Sequence, residues 1–231
     1  MAFTKDQQVA DIVKQNPLTA KVFYKHGIDF CCGGKVPLDS SCSSHHADLY
    51  TVLAELNIVS SDLTEGKANQ TFNSIDETIG HILDVYHKAL YETMPIINQL
   101  ITKVAKVHGE NHPELIQIKH VFQELESELV QHMRKEEQVL FPMLLSLAEN
   151  PDRFDKTKIA NGPINQMELE HREAADLLLQ LRKLSENYTA PADACNSYRG
   201  VFALLKEMEF ELYKHIHIEN NILHPMINTH V

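Results

Sequence analysis

The chain has 231 residues, 43% of them apolar, which allows one large domain or a domain plus a small module around a real core. A formal net charge of -11 argues against a nucleic-acid or anionic-membrane surface, and no apolar run approaches the roughly 20 residues that span a bilayer. Eight Gly, nine Pro and no Trp favour an all-α protein; a polar amino terminus and four cysteines outside any spaced disulfide framework favour a cytoplasmic one with reduced thiols.

Thr4 and Gln7 have capping-box spacing ahead of a short helix carrying Val9, Ile12 and Val13, and Asn16-Pro17 opens a second that ends at Gly27. The stretch from Gly27 to Lys35 is too glycine-rich for a helix interior. A third short helix carries Leu49, Val52, Leu53 and Leu56. These make a small three-helix amino-terminal domain over residues 1–57, followed by a polar linker over 58–73 that contains Gly66.

Residues 74–231 hold four long helices. Ser74 with Glu77 caps the first, whose seam is Ile79, Leu83, His87, Leu90, Met94, Ile97, Ile101 and Val104; Pro95 predicts a kink, and Gly109 the end. Pro113 starts the second, which runs to about Ala148 with Ile118, Phe122, Leu125, Leu129, His132, Glu136, Val139 and Met143 on its seam. The third carries Ile164, Met167, His171, Ala174, Leu178 and Leu181. The fourth, after Pro191, carries Tyr198, Val201, Leu205, Met208, Leu212, His215, Glu219, Ile222 and Met226. The expected fold is an up-down-up-down four-helix bundle.

Within that pattern, the stretch from His132 to Pro142 recurs from His215 to Pro225, both reading H-x-x-x-E-x-x-x-L-[F/H]-P. Residues i and i+4 share a helix face, so each copy points an imidazole and a carboxylate inward. A buried carboxylate without a partner costs several kcal/mol or takes up a proton, so a cation is expected. His87 and His132 are equidistant from the Gly109 turn, His132 and His171 from Asn150-Pro151, and His171 and His215 from Asp193, which puts four imidazoles at one level of a bundle. A lone seam histidine is more often a hydrogen-bonded core residue. Four at one height, two with a Glu one turn on, are a different matter. Four nitrogens and two carboxylates without a thiolate suit iron, manganese or zinc, and two Glu can bridge two metals.

These segments, with Val85-Tyr86-His87, the stretch Met167 to His171 and the leading Asp29-Phe30-Cys31-Cys32-Gly33-Gly34, resemble the ScdA-type iron-sulfur cluster repair proteins. The resemblance covers nearly the full chain. It implies a hemerythrin-like bundle behind a cysteine-bearing domain, and two non-haem iron ions with an oxo or hydroxo bridge, held by His87, His132, Glu136, His171, His215 and Glu219. It further implies repair of clusters damaged by nitric oxide or peroxide, by donating or restoring iron. Reduction of nitric oxide to nitrous oxide and hemerythrin-like oxygen or redox sensing are the alternatives. Oxygen carriers add a His one turn from the one on their third helix, where this chain has Met167 and Ala175. Glu128 and Glu170 are expected around the ligands as outer carboxylates.

Cys31 and Cys32 are a second candidate site, vicinal thiols beside two glycines. Exposed thiols there would suit a homodimer in which they face a neighbour's bundle. Cys42 and Cys195 read as structural, His45, His46 and His217 as surface or interface residues, and His224 as off the seam and not a ligand.

Overall fold

The computed structural model describes residues 3–61 and 72–229. Most of the expected linker, Gly66 included, lies outside them. Among the described residues the regular structure is helical, apart from one bridge between Gln8 and Pro37, and no helix is long and apolar enough to cross a membrane. The chain forms two compact units: residues up to Thr78 together with Tyr213–Thr229, and Ile79–Leu212.

In the first unit, Thr4 and Gln7 close a turn, with the Thr4 amide donating to Gln7 Oε1 at 2.8 Å, and α1 (Val9–Gln15) follows. Asn16 caps the turn Pro17–Thr19, whose end runs into α2 (Ala20–Lys25). A further helix, α3 (Leu38–Ser44), forms where the sequence showed no periodicity: two of its seven residues are apolar, Leu38 and Cys42, and both are buried. α4 (Leu49–Ser61) completes the module. Val9, Ile12, Phe23, Phe30, Leu38, Val52 and Leu56 form its core, and α1 also packs on the turn Glu219–Leu223.

The long helices carry the other unit. Ser74 caps α5 (Ile75–His81) through its Oγ, which accepts the Glu77 amide at 3.1 Å. α6 (Lys88–His108) continues unbroken through Pro95. α7 (Glu114–Lys135) packs against both α6 and α10 (Asn165–Leu184), and α8 (Phe141–Glu149) and α9 (Lys156–Ile159) lie between α7 and α10 in the chain. α11 (Asn196–Ile218) is fixed to α10 by Arg182, whose guanidinium holds buried Glu209 through both oxygens at 3.0 and 2.8 Å. α12 (His224–Thr229), which belongs to the first unit, ends the described chain.

Four π turns interrupt these helices, at Ile82–His87, Glu136–Leu140, Ala160–Ile164 and Glu219–Leu223. The second and fourth are the repeated motif seen as structure. The Phe141 amide reaches back five residues to the Glu136 carbonyl, and the His224 amide does the same to Glu219. Pro142 and Pro225 follow one residue later, where a missing N–H and a bulky ring disfavour the tighter α turn. Each π turn takes up one extra residue, so the inward face advances by one position. The expected seam therefore fails beyond each glutamate: Val139 is 55% exposed and Leu140, Phe141 and Leu144 are buried, while Leu223 and Ile227 are buried in place of half-buried Ile222 and Met226. The same slip before His87 buries Ile82 and Tyr86 and leaves Leu83 half-exposed.

Candidate metal centre

His87 closes its π turn, and Glu136 and Glu219 open theirs. Wide turns of this kind are rare and concentrate at functional sites because they re-aim side chains that a regular helix would place elsewhere. Glu136 is fully buried, and its two oxygens face different imidazoles: Oε2 lies 3.3 Å from His87 Nε2, and Oε1 lies 3.3 Å from His132 Nε2. His171 Nε2 stands 3.0 Å from His132 Nε2. Two nitrogens bound side by side to one ion at about 2.1 Å each stand about 3 Å apart, so this is a separation a shared cation accounts for. On α11 and the turn after it, His215 Nε2 and Glu219 Oε1 are 2.8 Å apart, and both residues are buried.

Two groups of buried donors satisfy the spacing a metal needs, each with its ligand atoms within 4.8 Å of one another: His87, Glu136, His215 and Glu219, and His132, Glu136, His171 and Glu219. All six residues expected from the sequence enter these groups, and both glutamates belong to both. Imidazole nitrogen and carboxylate oxygen without sulfur fit iron.

Outer carboxylates fix the imidazoles. His132 Nδ1–H donates to Glu170 at 2.9 Å, and Glu170 also takes Lys135 at 2.7 Å and Gln166 at 3.0 Å. The bond from His132 first, then those from Lys135 and Gln166, pull the Glu170 carboxyl down to about 2 against the opposing effect of burial. His87 Nδ1–H donates in the same way to Glu137 at 2.8 Å. With Nδ1 committed to a carboxylate, Nε2 presents its lone pair to the centre. Glu137 was missed in the sequence, though it adjoins Glu136; nothing distinguishes it there from an ordinary solvated glutamate. Phe141 stacks on the His87 ring, centroids 5.8 Å apart.

Glu128 bonds to neither ligand. It lines an open cleft of about 160 Å³ that reaches His132 and His171, together with Gln166, Glu170 and Glu173. Partial burial, then repulsion from Glu124, Glu173 and Glu170, raise its pKa, so the mouth of the cleft is a concentrated negative field.

Three expectations need correction. His217 is buried, and its Nδ1–H donates to the Phe30 carbonyl at 3.0 Å. His224 is buried in the place that Phe141 holds in the first copy, because the π turn rotates the last helical turn inward. Cys31 is buried and Cys32 half-buried, and their loop is bonded to Asn221 and His217 of the same chain, so the pair is not the exposed one expected. His45 and His46 are exposed as expected.

Fold and donor set together define a hemerythrin-class cation-binding bundle. The family model described as the hemerythrin HHE cation binding domain matches residues 78–227, and the ScdA_N model, a domain of unknown function, matches residues 5–60. Among relatives, the chain is 32% identical over 220 residues to the iron-sulfur cluster repair protein ScdA of Staphylococcus haemolyticus, covering 95% of this chain and 97% of the relative. It is 33% identical over 232 residues to a probable iron-sulfur cluster repair protein of Haemophilus influenzae (98% of each chain), and 33% identical over 227 residues to the repair protein YtfE of an Enterobacter species (97% of each). The chain belongs to this family of iron-sulfur cluster repair proteins.

Proposed function

We propose that this protein repairs iron-sulfur clusters damaged by nitrosative or oxidative stress, and that it does so with two non-haem iron ions, joined by an oxo or hydroxo bridge, at His87, His132, Glu136, His171, His215 and Glu219. The observation that carries the two-ion reading is Glu136, whose two oxygens each face a different histidine. The relatives' names support the repair activity.

Bound there, iron supplies one-electron chemistry and a cation that can be handed on. The protein's own groups do the rest. Glu137 and Glu170 hold the Nδ1 protons of His87 and His132, Phe141 covers one imidazole face, and the carboxylates of the cleft draw cations toward His132 and His171. Met167, buried beside His171 in sequence where oxygen carriers add a histidine, leaves one nitrogen donor fewer and favours release of metal over reversible oxygen storage.

On this reading the partners are proteins carrying damaged clusters, with nitric oxide or peroxide as small ligands. Four free cysteines suit the reducing cytoplasm, and exposed Tyr50 and Ile58 on α4 offer apolar surface for a second copy in a homodimer, which a mass measurement in solution tests. The repair activity is tested by incubating the iron-loaded protein with an enzyme whose cluster has been nitrosylated. Activity should return faster than with the same amount of ferrous salt, and a His132→Ala variant should lose the advantage. Equal recovery from salt alone would sink the proposal.

A further inference from the structure

Away from the metal ligands, the densest set of polar groups around a nucleophile lies in the loop that carries the vicinal cysteines. Asp29 organises it. Its Oδ1 accepts the amides of Cys31 at 2.9 Å and Cys32 at 3.0 Å, its Oδ2 accepts the Gly33 amide at 2.7 Å, and the Cys31 S–H reaches Oδ1 at 3.3 Å. Two glycines permit the wrap: a β-carbon on Gly33 would stand 2.8 Å from Asp29 Oδ2, and one on Gly34 2.6 Å from the Phe30 carbonyl oxygen. Two side chains pin the backbone from the other side. Asn221 donates to the Cys31 carbonyl at 2.9 Å and His217 to the Phe30 carbonyl at 3.0 Å.

The two thiols are thereby held in unequal places. Cys31 is 3% exposed and has two acceptors for its single proton, Asp29 Oδ1 and, at 3.7 Å, Cys32 Sγ. Cys32 is half-buried, the more accessible residue of the pair, and its sulfur accepts both the Cys31 S–H and the Asn220 amide, at 3.9 Å. We propose that this pair is a redox site for low-molecular-weight disulfides, with Cys32 the attacking sulfur, Cys31 the resolving thiol, and Asp29 the residue that positions Cys31 and receives its proton.

The chemistry balances in two exchanges. Cys32, having lost its proton to solvent, attacks one sulfur of the small disulfide; a bond forms between Cys32 Sγ and that sulfur, and the other half leaves as thiolate. The Cys31 proton then passes to Asp29, Cys31 Sγ attacks Cys32 Sγ, and the second half leaves as thiolate. Two protein thiols are oxidised and one disulfide is reduced to two thiols. The order follows from the environment. The Cys31 thiol is held well above its ordinary pKa, first by its hydrogen bond to Cys32, then by burial and by the charges of Cys32 and Asp29. Capping Cys32 removes the first of these, which turns the S–H toward Asp29. Closing the ring brings two sulfurs from 3.7 Å to about 2.05 Å between residues whose α-carbons are only about 3.8 Å apart, closer than ordinary disulfides allow, so the oxidised form is readily reduced.

The site uses none of the metal ligands, so its failure and that of the repair reading are separable. The test uses the full chain with Cys195→Ser as background, since Cys195 is exposed, and oxidised glutathione as the probe, followed by peptide-resolved mass spectrometry. The expected result is an internal Cys31–Cys32 disulfide in this background, a stable glutathione adduct on Cys32 in Cys31→Ser, and no adduct at residue 31 in Cys32→Ser. Asp29→Asn keeps an oxygen to accept the Cys31 and Cys32 amides but loses the acceptor for the Gly33 amide and the base for the Cys31 proton; it should leave adduct formation near its original rate and slow ring closure by at least about tenfold, so that the mixed disulfide accumulates. The proposal is overturned if Cys31 takes the adduct first, if no adduct forms on Cys32 in Cys31→Ser, or if Asp29→Asn closes the ring at the original rate. Iodoacetamide labelling of the background protein checks the order independently of how the variants fold, with Cys32 modified before Cys31.

Discussion

Two imidazoles share one carboxylate at Glu136, which with Glu219 is common to both groups of donors. Glu136→Gln keeps the shape but removes the residue's negative charge and replaces one oxygen by an amide nitrogen that cannot ligate. On the proposed two-iron centre, metal analysis of the reconstituted variant should find at most one iron per chain against two in the parent; two irons retained would rule out the bridging role. The outer carboxylates act one bond further away. Glu137→Ala and Glu170→Ala leave every ligand in place but free the Nδ1 protons of His87 and His132, and each should weaken iron binding by about 10–100-fold in a competition with a chelator. An unchanged affinity would show that packing alone orients the rings.

At the scale of elements, the π turns set which side chains face inward, and they reverse the expectation drawn from a regular helix. Val139→Ser should change stability by no more than about 0.5 kcal/mol, since Val139 is exposed, whereas Leu140→Ala should cost about 2–5 kcal/mol. Urea unfolding of both variants checks the pair, and equal losses would mean that the turn is not a π turn. A second device joins the loop between α6 and α7 to the one before α11. His112 lies between Asp193, 3.1 Å from Nε2, and Glu114, 3.2 Å from Nδ1, while His108 reaches Cys195 at 3.3 Å. The Asp193 bond, more than Glu114, raises the His112 pKa, and the His112 bond lowers that of Asp193. The raised His112 pKa means its contribution is complete below its ordinary 6.5 and is lost as pH rises through the higher folded value. The lowered Asp193 pKa means its contribution is present above 3.8 and is lost as pH falls through the lower folded value. The stability gap between the parent and His112→Ala should therefore be larger near pH 6 than near pH 9 and shrink in salt, because Asp193 is exposed. A gap of the same size at both pH values would remove the ion pair from the account.

Over the whole molecule, periodicity made the four long helices legible, equal distances from the turns put the four histidines at one level, and the H-x-x-x-E spacing added the two glutamates. What escaped was whatever depends on a local change of period or on surface buried by a distant segment. The proline after each motif was visible in the sequence, yet a 3.6-residue period cannot represent the extra residue that a π turn absorbs. The burial of His217, Asn220 and Asn221 had a signal that went unread: from His215 to Thr229 there is no Lys, Arg or Asp and only one Glu, the composition of a helix with no solvent face. The donors are separated by 45, 39 and 44 residues from His87 to His132, His171 and His215, so metal bound there would close long loops and act as a cross-link of the fold. Free iron at about 100 times its dissociation constant adds about 2.7 kcal/mol to the native state, and about 1 kcal/mol moves Tm by about 2–4 °C in a chain of this size. Removing iron with a chelator should lower Tm by about 5–11 °C at neutral pH. Ligands must lose protons to bind metal, so the difference between loaded and stripped protein should narrow as pH falls. Calorimetry across pH 5–8 decides the matter: a Tm indifferent to the chelator throughout that range would mean that the centre plays no part in holding the bundle together.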